Sequence, residues 1–366
     1  KILIINPSKW GRGITPIWIS SHVSLLKSRN HEVKLFDATF YFNWSHLENT
    51  YNTNNKQYRE TDYEKKIRYN YNDIKIDLQK VIDNFKPNII FWSALSSHIH
   101  GEGEYVNIQY GYELIENLQY GSAILITGGI QPTASPKLIL SKFKKLDFVI
   151  TGESEFVLEE FSSKFKNKEK IVEIKGLNYF YKKKLISGEK QQLIHNLDLI
   201  PKYDYSLFED QIFLRPYNGK VLRVIDYELS RGCIYTCSYC VETVIQNYYG
   251  FSKTSKKGAL LNAKNYLRSK SATRIYEELS FYKKKFKLDL IRCQDTNFLT
   301  INKKVLKNLE KLIMNNPLGL KLYVETRPEG INENTAQLLK NLNVDGVGMG
   351  IELAGQNFRE DELNRF

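Results

Sequence analysis

Short apolar runs alternate with helix-patterned stretches along most of this chain, and that rhythm limits the available folds more than any other feature. In the first half, the stretches at 2–6, 31–36, 88–93, 123–127 and 147–151 read as strands. Stretches at 16–28, 74–85, 105–119, 137–144 and 155–165 read as helices, the second stopping before Pro87. Strand–helix units repeated in one direction give a parallel sheet with helices on both faces, here an open, doubly wound, Rossmann-like sheet. Residues 40–71 are rich in Asn and Tyr, have little periodicity and read as a surface insertion. The pattern breaks at 168–222, which is Lys-rich and then turn-rich (Asp198-Leu-Ile-Pro-Lys-Tyr-Asp204) and reads as a small hairpin with a linker.

A second series begins near Val221, with strands expected at 224–229, 288–293, 321–325 and 345–351 and helices at 271–285, 303–315 and 332–342. Four strands do not close a barrel, so this reads as the N-terminal part of a (β/α) barrel, truncated after its fourth strand. The expected organisation is α/β throughout: a Rossmann-like domain at 1–167, a linker at 168–222 and a partial barrel at 223–366. The natural chain is expected to continue past Phe366, and the missing initiator Met fits an incomplete record.

Composition narrows the class. Of 366 residues, 42% are hydrophobic, enough for packed cores and too many for a disordered chain. No apolar run approaches the roughly 18–20 residues that span a bilayer. No signal-peptide pattern opens the chain, so a cytoplasmic protein without a transmembrane segment is expected. The net charge is +12, but the lysines are dispersed and accompany abundant Asn, Ile and Tyr, so nucleic acid is not the expected partner. Anionic cofactors are another use for that charge.

All four cysteines lie beyond residue 230, which excludes a disulfide scaffold and points to a metal in a reducing compartment. In Arg231-Gly-Cys-Ile-Tyr-Thr-Cys-Ser-Tyr-Cys240, three residues separate Cys233 from Cys237 and two separate Cys237 from Cys240. Three thiolates on one loop can hold three irons of a [4Fe–4S] cubane and leave one iron open, whereas such clusters usually take four protein ligands. Gly232 lets the backbone approach the sulfurs. A zinc site wants four N or S ligands. The nearest His in sequence is His195, and Cys293 sits in an apolar run as a buried, inert thiol.

The Cys-x3-Cys-x2-Cys loop after the first strand of a β/α series, with the aromatic Tyr239 before its last cysteine, resembles the radical SAM superfamily. The resemblance implies a [4Fe–4S] cluster on Cys233, Cys237 and Cys240, with the open iron chelating S-adenosylmethionine. One electron, from a flavodoxin- or ferredoxin-type donor, would then cleave that molecule to methionine and a 5′-deoxyadenosyl radical that takes hydrogen from substrate. Asp295-Thr-Asn-Phe298 follows the second strand, Glu325-Thr-Arg327 ends the third and Gly350-Ile-Glu352 ends the fourth. By resemblance, Tyr239, Asp295, Glu325, Glu352 and Arg365 contact S-adenosylmethionine. Carboxylates suit its ammonium and ribose hydroxyls, and Arg suits its carboxylate. The family's Gly-Gly-Glu motif after the second strand is absent.

An open doubly wound sheet binds ligands at the C-terminal ends of its strands. There the chain carries Ser93-Ala-Leu-Ser96-Ser97, Thr127-Gly128-Gly129-Ile-Gln-Pro-Thr133 and Thr151-Gly152-Glu153-Ser154. This ordered set resembles the cobalamin-binding domain that precedes the radical SAM domain in one large subfamily, and Asn196-Leu-Asp-Leu-Ile-Pro-Lys-Tyr-Asp204 resembles its junction. The resemblance implies cobalamin contacts from Ser96, Ser97, Gly128, Gly129, Thr133, Gly152 and Glu153. The Asp-x-His-x-x-Gly motif of cobalamin mutases is replaced by Ser8-Lys-Trp-Gly-Arg-Gly-Ile-Thr15. Trp10 covering the lower cobalt face, or His98 or His100 ligating it, remain alternatives, as do packing and surface roles for all three.

The implied function is a cobalamin-dependent radical SAM enzyme methylating an unactivated carbon of a small-molecule, lipid or peptide substrate. The alternatives are a non-methylating oxidative cyclisation or ring rearrangement, and a radical SAM enzyme whose first domain no longer binds cobalamin. A tRNA methylthiotransferase would carry a second cysteine triad in its first domain, and no cysteine precedes Cys233. Three cluster ligands rather than four argue against a plain iron–sulfur electron carrier or sensor.

Overall fold

The computed structural model describes residues 1–9, 14–45, 59–94, 104–166 and 171–366. The chain divides into two compact units, Lys1–Gln192 with Ile200–Val221 and Leu193–Leu199 with Leu222–Phe366.

In the first unit, β1 (Ile2–Asn6), β2 (Val33–Asp37), β3 (Ile89–Ala94), β4 (Ile124–Gly129) and β5 (Phe148–Ile150) run parallel in the order β2-β1-β3-β4-β5. This is a common doubly wound order, with its topological switch between β1 and β3. Alternation along the strands fills both faces. Leu3, Ile5, Ile90, Trp92 and Leu125 pack with α2 (Ile74–Phe85), α3 (Glu104–Ile115) and α5 (Pro136–Lys142). On the other face, Phe91 meets Trp18 and His22 of α1 (Ile17–Ser28), and Phe148 meets Phe161 of α6 (Glu155–Lys164). Burial on both faces is why β1, β3 and β4 read as nearly unbroken apolar runs, whereas β2, at the sheet edge, carries the exposed Lys34.

The helix ends follow their local chemistry. Asp73 caps α2 by accepting from the N–H groups of Lys75 and Ile76, and the helix stops at Lys86 in a left-handed conformation just before Pro87. Gly111 lets α3 close on β3, because a Cβ there would lie 2.4 Å from the Trp92 indole. A short helix missing from the sequence reading, α4 (Ile130–Ala134), follows directly on Gly129. The strand before it runs through Gly128 and Gly129, pairing with Ser93 and Ala94, rather than stopping at Thr127. The hairpin expected within 168–222 is β6 (Leu177–Tyr181) and β7 (Lys184–Ser187), and it extends the sheet antiparallel beyond β5. The insertion at 40–71 closes at its base, where Phe42 donates to the Asn70 carbonyl at 2.9 Å and Asn70 donates to that of Phe40 at 2.8 Å.

In the second unit, β8 (Lys220–Tyr227), β9 (Leu290–Cys293), β10 (Lys321–Thr326) and β11 (Val344–Met349) form four parallel strands in chain order. The sheet is open, and β11 is only partly buried. Between the strands run α8 (Ala272–Phe286), α9 (Lys303–Asn315) and α10 (Glu333–Asn341), capped by Ser271, Asn302 and an Asn332–Thr335 capping box. Behind β8 lies a charged group in which Lys270 and Glu278 are fully buried and Arg274 is partly exposed. Glu278, on α8, accepts from the Tyr227 hydroxyl at 2.6 Å, Lys270 Nζ at 3.0 Å and Arg274 Nε at 2.5 Å. Among the described residues no helix is long and apolar enough to cross a membrane.

Candidate active site

The cysteine loop leaves β8 through a two-residue ribbon, Ser230–Arg231 paired antiparallel with Arg268–Ser269. Gly232 then takes a positive φ of 97°, and a Cβ on it would lie 2.9 Å from the Tyr266 carbonyl. Only glycine fits this entry without distortion. Gln246, from α7 (Glu242–Tyr248), donates to the carbonyls of Cys233 at 3.0 Å and Tyr235 at 2.9 Å. The Thr236 N–H donates to the Gly258 carbonyl at 2.9 Å, and Ser238 N–H to that of Leu363 at 3.0 Å. Asn364 Nδ2 donates to the Thr236 carbonyl at 2.8 Å. The loop is thus fastened on three sides by polar bonds.

Cys233 and Cys237 are buried, and Cys240 is partly exposed. Burial pushes the Cys233 thiol up to about 12 and the Cys240 thiol up to about 11, so both are neutral in the free loop at pH 7. A cationic metal centre is what converts such thiols to thiolates. Among the described residues, no three His, Cys, Asp or Glu side chains converge on a single-ion site. The donor set itself fits an iron–sulfur cluster with one open iron: three cysteines and no histidine on the loop. Cys293 is fully buried in β9, and burial holds its thiol well above its ordinary value.

Three of the five residues expected at S-adenosylmethionine come together beside this loop. Arg365 Nη1 donates to the Tyr239 hydroxyl at 3.0 Å and pairs with Glu352 at 3.5 Å, and its Nη2 donates to the Gly350 carbonyl. Arg365 is buried, and its Nε has no partner among the described residues. Glu352 sits at a positive φ of 64°, a conformation that L residues adopt at a cost. A buried guanidinium with an unused N–H, a nearby carboxylate and a phenol suit a zwitterionic amino-acid ligand. Glu325 stands on β10 and pairs with Arg292 of β9 at 3.0 Å, and burial raises its carboxyl. Asp295 turns away from this group. It accepts from Leu229 N–H at 3.2 Å and from the Ser230 hydroxyl at 2.5 Å, fixing the backbone that leads into the cysteine loop. Burial pushes its carboxyl up to about 7.

In the first unit, Gly128, Gly129, Thr133 and Gly152 meet at the C-terminal end of the sheet. The Thr133 hydroxyl donates to the Gly129 carbonyl at 2.6 Å and accepts from Gly152 N–H at 2.8 Å. Gly129 and Gly152 have positive φ of 115° and 80°. A Cβ on Gly128 would lie 3.4 Å from Cβ of Ser154. Glu153 is next to them, half-buried. Ser93, paired with Gly128 across β3 and β4, carries a buried hydroxyl with no partner among the described residues. A side-chain-free edge with an unsatisfied hydroxyl fits a large polar ligand lying against backbone. Ser96, Ser97, Trp10, His98 and His100 lie outside the described residues.

Two residues escaped the sequence reading. His22 is buried in α1, with Nε2 3.0 Å from the Ser154 hydroxyl. A histidine and a run of serines on a helix face that packs on the sheet were the available signal. Arg327 lies against Cys237, and no sequence pattern distinguishes it from any other arginine at a strand end.

No family model matches the chain. The radical S-adenosylmethionine methyltransferase TsrM from Kitasatospora setae, solved with tryptophan substrate and a SAM analogue, superposes with a TM-score of 0.69 at 15% identity, over 100% of this chain and 62% of that one. A second TsrM structure holds cobalamin and a [4Fe–4S] cluster, and superposes at 0.68 and 16% identity over 100% and 64%. The cobalamin-dependent S-adenosylmethionine radical enzyme OxsB, with aqua-cobalamin and S-adenosylmethionine bound, superposes at 0.63 and 15% identity, over 98% of this chain and 45% of that one.

This chain has the fold of the cobalamin-dependent radical SAM enzymes. Sequence relatives match over shorter stretches. An anaerobic magnesium-protoporphyrin IX monomethyl ester cyclase from Synechocystis sp. is 27% identical over 126 residues, 32% of this chain and 23% of that protein. The cyclase of the same name from Cereibacter sphaeroides is 24% identical over 166 residues, 44% of this chain and 26% of that one. The chain thus matches about a quarter of these curated relatives' length.

Proposed function

We propose that this chain is the cofactor-binding part of a cobalamin-dependent radical SAM enzyme that methylates an unactivated carbon. The observation that carries the proposal is the Cys233–Cys237–Cys240 loop leading from a parallel strand into the Tyr239–Glu352–Arg365 group. Cys233, Cys237 and Cys240 would hold a [4Fe–4S] cluster, and Arg365, Glu352 and Tyr239 would orient S-adenosylmethionine. The glycine edge at Gly128, Gly129 and Gly152, with Thr133 and Ser93, would receive cobalamin. When bound, these groups supply one-electron cleavage of a sulfonium and a transferable methyl group. The chain's own residues hold and shield. Burial of Cys233 and Cys237 keeps water from the metal side of the loop, and Gln246, Thr236 and Asn364 keep the loop in one shape. The electron would come from a flavodoxin- or ferredoxin-type donor, and the substrate would be a small molecule, lipid or peptide.

A second reading, a non-methylating cyclisation, draws on the two curated relatives, both named as cyclases. One experiment separates the two. The protein is reconstituted anaerobically with iron, sulfide and hydroxocobalamin, then incubated with methyl-labelled S-adenosylmethionine, a low-potential reductant and a substrate panel. Label in a product supports methylation. A dehydrogenated or ring-closed product without label supports cyclisation. Iron without retained cobalt removes cobalamin from both readings, and zinc in place of iron removes both.

A further inference from the structure

Arg327 follows β10, and its side chain points at the cysteine loop. Its Nη1 lies 3.9 Å from Cys237 Sγ, within reach of an N–H···S bond. Its guanidinium plane lies over the Tyr235 ring, 3.8 Å from the centroid. Glu329 holds the other side of the fork, with contacts of 3.2 Å to Nε and 3.1 Å to Nη2, and Nη2 also donates to the Phe366 carbonyl. The arginine is 7% exposed. A buried guanidinium fastened by a carboxylate and an aromatic face is fixed in direction, and Nη1, the nitrogen that Glu329 does not hold, faces the sulfur. Lys, a flexible point charge, would not make these contacts together.

We infer that Arg327 is a positioning and tuning residue for the cluster, donating an N–H to the Cys237 thiolate and thereby raising the cluster's reduction potential. The inference rests on the proposed reading of the cysteine triad as a [4Fe–4S] site. Its physical basis is general. Hydrogen bonds to ligating sulfurs and positive charge nearby favour the more negative, reduced cluster. The charge is close and poorly screened here, since the guanidinium is buried and Cys237 is buried too.

The test is a redox titration followed by electron paramagnetic resonance on the anaerobically reconstituted full chain, with iron and sulfide counted in the same samples. Wild type is compared with Arg327→Met and Arg327→Lys. The expected result is full iron loading with a more negative midpoint in Arg327→Met. A tenfold change in the one-electron equilibrium, about 59 mV, is the scale sought. Arg327→Lys should shift less, because it keeps charge and loses the directed N–H. Iron-loaded variants that both titrate with the wild type overturn the inference. Should Arg327→Met fail to load iron, Arg327→Lys decides: a shifted midpoint supports the inference and an unshifted one overturns it. A wild-type chain that binds no iron is a failure of the cluster reading itself, and is seen before any variant is made.

Discussion

The two units prepare for ligands by opposite means. The first strips side chains away: glycines at 128, 129 and 152 leave backbone at the strand ends, tied together by Thr133. The second crowds charged side chains in: Arg365 with Glu352, Arg292 with Glu325, and Arg327 with Glu329. Their sheets differ in the same spirit. The first ends in the antiparallel β6–β7 hairpin, and the second ends in the half-exposed parallel strand β11. A bare edge suits a broad ligand lying on backbone, and a cluster of paired charges suits a small zwitterion. The difference shows how one α/β framework presents opposite surfaces, by residue size in the first unit and by charge in the second.

The comparison can be tested by damaging one unit and assaying both ligands. The largest effect is expected from Cys233→Ala, Cys237→Ala or Cys240→Ala. Each should lower bound iron on the order of tenfold and leave cobalt uptake unchanged, as read by elemental analysis after reconstitution. Joint loss of iron and cobalt would mean that the two sites are not independent. Next is Gly128→Val. With Ser154 already 3.4 Å from a Cβ at this position, the branched side chain should weaken cobalamin binding roughly tenfold or more and spare iron. Unchanged cobalamin affinity by equilibrium dialysis would remove the glycine edge from the site.

A smaller effect concerns pH. The Asp295 carboxyl stands at about 7 when folded and at 3.8 ordinarily, so the folded chain binds the extra proton between these values. Stability from this group is therefore greatest below the lower value and falls as pH rises towards 7. The slope is at most about 1.4 kcal/mol per pH unit. Asp295→Asn should flatten that part of the stability–pH curve measured by denaturant titration, and parallel curves for both proteins would refute the assignment. The smallest effect is expected from Thr133→Val, which removes an acceptor from Gly152 N–H and a donor to Gly129. It should destabilise the first unit by about 1–3 kcal/mol, measured by urea unfolding, with iron binding unaffected.

Sequence reading recovered what local chemistry controls. The helix at 74–85 was legible because its periodic pattern stops before Pro87, and that at 303–315 because its apolar stripe is strongly periodic. Strand order was not legible: nothing in residues 147–151 or 177–187 announces that the hairpin joins the sheet beside β5. The cysteine spacing was legible because it is local. Asp295 and Arg327 were not, since a charged residue at a strand end looks the same whether it faces a ligand, a backbone N–H or a sulfur. Only tertiary contacts distinguish these, and here they turn Asp295 to Leu229 and Ser230 and Arg327 to Cys237.

The Glu278 group behind β8 has a consequence for how this lineage can drift. Lys270 and Glu278 are shut away from water together, and Tyr227 and Arg274 share the same carboxylate. Neutralising Glu278 alone strands Lys270 in the interior, a loss of about 3–5 kcal/mol, whereas neutralising Lys270 leaves the carboxylate paired with Arg274 and bonded to Tyr227. The order of substitution therefore matters: losing the glutamate first passes through a poorly folded ancestor, and losing the lysine first does not. Homologues that carry the lysine without the glutamate should be rare.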